Sequence, residues 1–284
     1  MKERVIKELK RRGYEASLTS IIKNGVKKDG VSIKRDGSRV AQIIYPLWEK
    51  LEKVEEIVEL LINSFEENEN PQLEQGIETL LSLEYIKENV FIALQKESDE
   101  PIVKEACYPG IEAYLRVSTE NIGVKRTYKI TKQMLELLKA DEIELWNIAY
   151  ENLKKSVTVI KMSEVLEKNI RMSAEFLGIP EEALEEMIEE IDENPMYVFS
   201  LGNPHNGQYG ASAILHEEKL DEICERHNVN KLLICPSSIH EAIVMPYTGE
   251  KPMDDASRIV REVNKEAVDP EEQLSDEAFI YEMK

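Results

Sequence analysis

The last ninety or so residues switch hydrophobic period in a regular order, and that order constrains the fold more than any other feature of the chain. "MYVFSLG" and "YGASAIL" are short apolar runs on either side of a turn that holds Asn206 and Gly207, so they read as paired strands. "HEEKLDEICERHN" then repeats apolar residues at intervals of three and four, which puts Leu220, Ile223 and Cys224 on one helical face. "KLLIC" and "EAIVMPY" return to strand spacing around "PSSIH", "MDDASRIVREVNKE" is helical again, and "EAFIYEM" closes on a strand. A β-β-α-β-β-α order over 196–284 predicts an α+β fold, with a largely antiparallel sheet and helices on one of its faces.

The other end of the chain is organised differently. Residues 2–12 have the spacing of a short amphipathic helix, with Val5, Ile6 and Leu9 inward and Gly13 as its stop. "GVKKDGVSIKRDGSRVAQIIY" places Lys-Asp-Gly and Arg-Asp-Gly around a β-branched segment. Asp-Gly supplies the positive φ of tight turns, so two or three short antiparallel strands are expected. Pro46 suits the first turn of a helix running through "LWEKLEKVEEIVELLINSFEE"; a second follows from Pro71 through "PQLEQGIETLLSLEYIKEN", then a strand "NVFIALQ". This defines a basic hairpin plus helical module over 1–95 and an α+β unit over 96–284.

Between the two, "KESDEPIVKEACYPG" is polar, carries two prolines and is expected to be an exposed loop. "IEAYLRVS" and "VKRTYKI" read as strands, Thr131 and Asp141 as helix N-caps, and two further helices as broken at "GIPEE", the second of them "PEEALEEMIEEIDEN" with one acidic, solvated face.

Charge then narrows the function. Thirty-six basic and 56 acidic side chains give a net charge of −20, a field that repels nucleic-acid phosphates. The first 40 residues depart from it, with 12 Lys and Arg against 5 Asp and Glu. Such a basic element either docks on an acidic body of its own chain or offers a local phosphate or partner patch, so nucleic acid is disfavoured as a partner except locally at 23–39. No apolar run approaches the roughly 18 residues that span a bilayer, and the amino terminus lacks a signal-peptide core. Three cysteines at unrelated spacings (Cys107, Cys224, Cys235) fit a reducing cytoplasm rather than a disulfide framework.

Chemistry-bearing residues concentrate late in the chain. "LLICPSSIHEAIVMPY" is accounted for as a turn between buried strands, because Pro236 and the two serines are turn formers. It also admits a nucleophile and base, Ser238 and His240, which share a face of an extended segment; Glu241 points the other way and no G-x-S-x-G elbow is present. All four histidines and two of the three cysteines lie within 205–240, which admits zinc through Cys224, His227, Cys235 and His240, although neither C-x-x-C nor H-E-x-x-H spacing occurs. "LGNPHNGQYG" fits no phosphate-binding loop and reads as a hairpin loop.

"GVSIKRDGSRVAQIIYPLWEKLE", "MYVFSLG...YGASAIL", and the carboxyl-terminal pattern "PSSIHE...VREVN...LSDEAF" resemble an uncharacterised bacterial family, a domain of unknown function of about this length found mainly in Gram-positive gut bacteria. "KITKQMLELLKADEIELWNIAYENL" together with the final third of the chain is similar to a second uncharacterised bacterial family. Both resemblances imply a recurring fold and carry over no site residue.

Taken together, these features lead to a non-catalytic cytoplasmic binding or interaction protein without a cofactor. Its contact with a protein partner is expected through Lys27, Lys28, Lys34, Arg35 and Arg39. The alternatives are a hydrolase using Ser238 and His240 and a zinc-binding protein through Cys224, His227, Cys235 and His240.

Overall fold

The computed structural model describes residues 1–24, 26–46, 48, 53–69, 71–122, 126–167, 180, 195–249 and 253–284. The two helices expected around "GIPEE", including the acidic "PEEALEEMIEEIDEN", fall outside the described residues except at their edges. The chain divides into two compact units: Met1–Asn89 with Thr119–Thr127, and Val90–Ser118 with Tyr128–Lys284.

In the first unit, helix α1 (Lys2–Arg11) buries Val5 and Leu9, one turn apart. Two ten-residue strands, β1 (Tyr14–Lys23) and β2 (Val26–Arg35), pair antiparallel without interruption, and a short β3 (Gln42–Ile44) adds to β2. Ala16, Val31 and Ile33 face α1 and the buried side of α2 (Val54–Glu67): Ile57, Val58, Leu61 and Phe65. The sequence placed a turn at Asp29-Gly30; instead both residues lie inside β2, opposite Ser20 and Thr19. The glycine answers a packing need, since a Cβ there would stand 2.8 Å from the Tyr45 ring. The hairpin turns earlier, between Lys23 and Val26, where Asn24 takes a positive φ of 48°. The helix expected from Pro46 begins, among described residues, at Val54. The single helix expected from Pro71 is two, α3 (Pro71–Leu80) and α4 (Leu83–Asn89). Ser82 separates them: its hydroxyl accepts from the Tyr85 N–H (3.2 Å) and donates to the Thr79 carbonyl (2.7 Å), a cap that starts a new helix.

The second unit holds two antiparallel sheets. One is built from β4 (Val90–Lys96), β5 (Lys104–Tyr108), β6 (Ile111–Ser118) and β7 (Thr127–Lys129), with β6 between β4 and β5. β5 comes from the stretch expected to be a loop. It pairs with β6 through a register break between Ala106 and Tyr108, and Ile102 and Val103 before it are buried. Helix α5 (Lys132–Leu138) is capped by the Thr131 hydroxyl, which accepts from the Met134 N–H (3.1 Å). α6 (Glu142–Ser156) is capped by Asp141, which accepts from Ile143 and Glu144, so both expected caps form. α6 lies on the sheet face of Ala113, where Tyr150 donates to Glu105 (2.8 Å).

The other sheet runs in the order β12-β10-β11-β9-β8, from β8 (Val157–Lys161), β9 (Tyr197–Leu201), β10 (Lys231–Cys235), β11 (Ala242–Pro246) and β12 (Phe279–Glu282). β8 had no counterpart in the sequence reading. "YGASAIL", expected to be a strand, is a buried 3₁₀ turn over Gly210–Leu215, entered through Tyr209 at φ 57°. A Cβ on Gly210 would sit 2.5 Å from the His240 carbonyl and 2.7 Å from the Leu201 nitrogen, so only glycine lets the backbone come this close. The sheet carries helices on both faces rather than one. Leu233, Met245 and Ile280 pack on α8 (Met253–Ala267), and on the opposite face Tyr281 donates to Asp221 of α7 (Glu217–His227) at 2.8 Å.

Candidate functional site

The basic character of the amino-terminal hairpin is largely matched inside its own unit. Lys34 holds Glu15 (2.9 Å) and donates to the Ser38 carbonyl (3.1 Å). Arg35 grips Glu69 through two bonds of 2.7 and 2.8 Å while its guanidinium lies over the Phe65 ring, and Arg39 pairs with Glu78 at 2.9 Å. These cations pull their partners' carboxyls below the usual range, Glu69 under Arg35 and Glu15 under Lys34; Glu8, bonded to Arg11 and Arg12, is held at about 2. Lys27 and Lys28 lie near the tip, opposite Ile22 and Ile21. Of the five residues expected to contact a partner, three therefore already hold a carboxylate.

What the hairpin does leave open is backbone. β1 is the edge of its sheet. The Asp29 carbonyl accepts from the Trp48 indole and Val31 and Ile33 pair with β3, so the odd-numbered residues of β2 turn their polar groups away from β1. By the alternation of an antiparallel ladder, their partners Tyr14, Ala16, Leu18, Ser20 and Ile22 turn N–H and C=O outward from β1. Among the described residues no backbone hydrogen bond reaches that edge. Leu18 is 45% exposed beside it.

The second unit concentrates ionisable groups on a strand whose pattern is that of an ordinary half-solvated one. "IEAYLRVS" alternates apolar and polar residues, the pattern of a strand with one wet face. Yet Glu112, Tyr114 and Arg116 are only 5%, 3% and 9% exposed. Opposite Glu112 on β4, Gln95 donates to it (2.7 Å); Lys104 of β5 pairs with it (2.9 Å), and the Ser98 hydroxyl donates to it (2.8 Å). Burial alone would raise the Glu112 carboxyl, but these donors outweigh burial and hold it below the usual range. Lys129 donates to Glu100 (2.5 Å) and to the Gln95 side-chain carbonyl (2.9 Å), and burial lowers its ammonium pKa despite that partner. Arg116 donates to the Tyr114 hydroxyl (3.0 Å) and stacks on the Tyr209 ring at 4.3 Å. Burial pushes Tyr114 up to about 12. Lys104, Ser98 and Glu112 also line an open groove of about 540 Å³ shared with Cys107 and Tyr108.

Next to this cluster lies the turn "PSSIH" between β10 and β11. His240 accepts the Tyr209 backbone N–H at Nδ1 (3.2 Å), which leaves its proton on Nε2, facing Glu272 at 3.4 Å. The carboxylate beside the histidine is thus Glu272. Ser238 is not on the ring at all: its hydroxyl accepts from the backbone N–H of His240 (3.0 Å). This contact closes the turn "SSIH", and it gives the hydrolase alternative no support.

The zinc alternative meets a similar obstacle. Among the described residues no three His, Cys, Asp or Glu side chains converge on a point, Cys224, His227, Cys235 and His240 included. Cys224 is buried in α7, and His227 shares a 2.7 Å hydrogen bond with the Tyr197 hydroxyl. Burial raises all three free thiols, Cys107 to about 12 and Cys235 to about 11, far from the thiolate a nucleophile needs.

Comparison with protein families is decisive on kinship. The model of a family of unknown function matches residues 1–283. The chain belongs to DUF5688. No curated protein and no solved structure matches it. The DUF5688 match runs through both units, so the open β1 edge and the buried Glu112–Arg116 cluster lie within one family domain. No described helix is long and apolar enough to cross a membrane.

Proposed function

We propose that this DUF5688 protein works by binding a protein partner, without catalysis, and that the partner adds a strand to the outer edge of β1. One observation carries the proposal: over ten residues β1 presents outward backbone groups that pair with nothing among the described residues. An extended segment can satisfy those groups and take its specificity from the side chains on either side. Lys34, Arg35 and Arg39 stiffen the hairpin through their carboxylates, and the exposed Lys27 borders the tip. Three free thiols suit a reducing cytoplasm.

Full-length tagged protein and its Leu18→Pro variant provide the test. Leu18 points its N–H outward, so proline there removes a donor from the open edge and none from the β1–β2 ladder. Partners captured by the wild type and lost by a folded Leu18→Pro protein support strand addition; an unchanged partner set refutes it. A serine-directed fluorophosphonate that labels the wild type but not Ser238→Ala would establish catalysis instead.

A further inference from the structure

Resting on that strand-addition reading, we propose that the segment taken up by β1 is the β1 of a second copy of this chain, paired antiparallel about a twofold axis at Thr19.

Edge strands that avoid self-pairing are interrupted by proline, by a bulge or by a central lysine. β1 has none of these. Its ten-residue register with β2 is unbroken, and "ASLTSII", the seven residues between Glu15 and Lys23, contains neither charge nor proline. The outward-facing residues are the even ones, so in a twofold pair even residues must meet even ones. Centring on Thr19 satisfies this condition: Leu18 meets Ser20 and Ala16 meets Ile22 as hydrogen-bonded pairs, and Ser17 meets Ile21 between them. The same register sets Glu15 opposite Lys23 twice, once at each end, and nowhere opposes like charges. Centring on Leu18 instead would set Glu15 against Ile21 and leave Lys23 beyond the pair. The unbroken, uncharged strand therefore selects a second copy as the occupant, and the opposite signs at positions 15 and 23, added to the Glu15–Lys34 pair already present within the hairpin, favour this register.

The wider charge distribution is compatible with this pairing. The first 89 residues carry 15 basic and 17 acidic side chains, close to neutral, while the remaining 195 carry the other −18. Two amino-terminal units thus approach with little net repulsion.

Disulfide trapping reads the register directly. Thr19 faces its own copy as a non-hydrogen-bonded pair with Cα atoms about 4.5 Å apart, within disulfide reach. Thr19→Cys in the full chain is expected to form a covalent dimer under mild oxidation, at least tenfold faster than Ser17→Cys, whose copies lie apart in this register. Sedimentation of the wild type should show mass rising with concentration from 32.7 kDa toward about twice that value. Leu18→Pro should remain monomeric. Glu15→Lys or Lys23→Glu alone should weaken association, and the two together should restore it. A wild type that stays monomeric to about 1 mM, or equal trapping at positions 17 and 19, overturns the second-copy assignment. If Leu18→Pro nevertheless abolishes capture of another protein, strand addition stands and only its occupant changes; if Leu18→Pro alters neither mass nor capture, both fall.

Discussion

Acidification from pH 7 to pH 5 should destabilise the carboxyl-terminal unit through His205. Its imidazole packs against the Phe91 ring at 4.2 Å between centroids, and burial lowers its pKa from 6.5 to about 4. Above pH 6.5 the ring is neutral whether the chain is folded or not, and it contributes no pH dependence. Between 6.5 and 4 the unfolded chain takes up a proton that the folded one refuses, so stability falls as pH drops and the loss is complete below about 4. Integrated to pH 5, the gap between those values corresponds to about 2 kcal/mol, and partial exposure of the ring reduces this to about 1–2 kcal/mol. Urea denaturation can measure it. Trp48 and Trp146 are the two tryptophans, one in each unit, so in a Trp48→Phe background the fluorescence of Trp146, buried in α6, reports the carboxyl-terminal unit. The comparison is with His205→Gln in the same background, which cancels every carboxylate and the other histidines. The wild type should lose about 1–2 kcal/mol more than the variant on going from pH 7 to pH 5. Equal losses, or an NMR titration of His205 with a midpoint near 6.5, would refute the reasoning.

Gly210→Ala should cost about 3 kcal/mol or more, because its Cβ would meet backbone atoms of His240 and Leu201 that cannot move independently; a melting temperature within 2 °C of wild type, roughly the shift of a much smaller change, would contradict this. Glu100→Gln should destabilise by about 2–3 kcal/mol by stripping the half-buried Lys129 ammonium of its counter-charge, and Glu100→Leu with Lys129→Met should recover much of it; a double-mutant cycle with coupling below about 0.5 kcal/mol would show that the pair does not interact. A disulfide reagent at pH 8 should modify the native thiols slowly and all three at once in denaturant, since Cys107 and Cys235 are held near 12 and 11; rapid native labelling of either would place it in a different environment.

Much of the local structure was legible in the sequence. The face of α1 that buries Val5 and Leu9, the caps at Thr131 and Asp141, and the strands around Leu233 and Val244 all follow from residues within one or two turns of each other. Their energetics are short-range, a hydroxyl or carboxylate meeting an amide three positions on, or apolar side chains at one helical period, and a linear string displays them. The α+β class and the antiparallel carboxyl-terminal sheet emerge from the same signals.

Other features depend on what distant chain brings alongside. Asp29-Gly30 has the chemistry of a turn, but Tyr45 packs over the glycine and the turn forms at Asn24 instead. Alternation in "IEAYLRVS" implies a solvated polar face, and only the arrival of Tyr209 over Arg116 and of Lys129 beside Glu100 makes that face a buried charge cluster. The same holds for His240, whose nitrogens are claimed by Tyr209 and by Glu272, each some thirty residues away. Periodicity records which side of an element is apolar; whether its polar side meets water or another part of the protein is a matter of tertiary packing, because burial of a charge is decided by every atom that crowds it and by no local pattern.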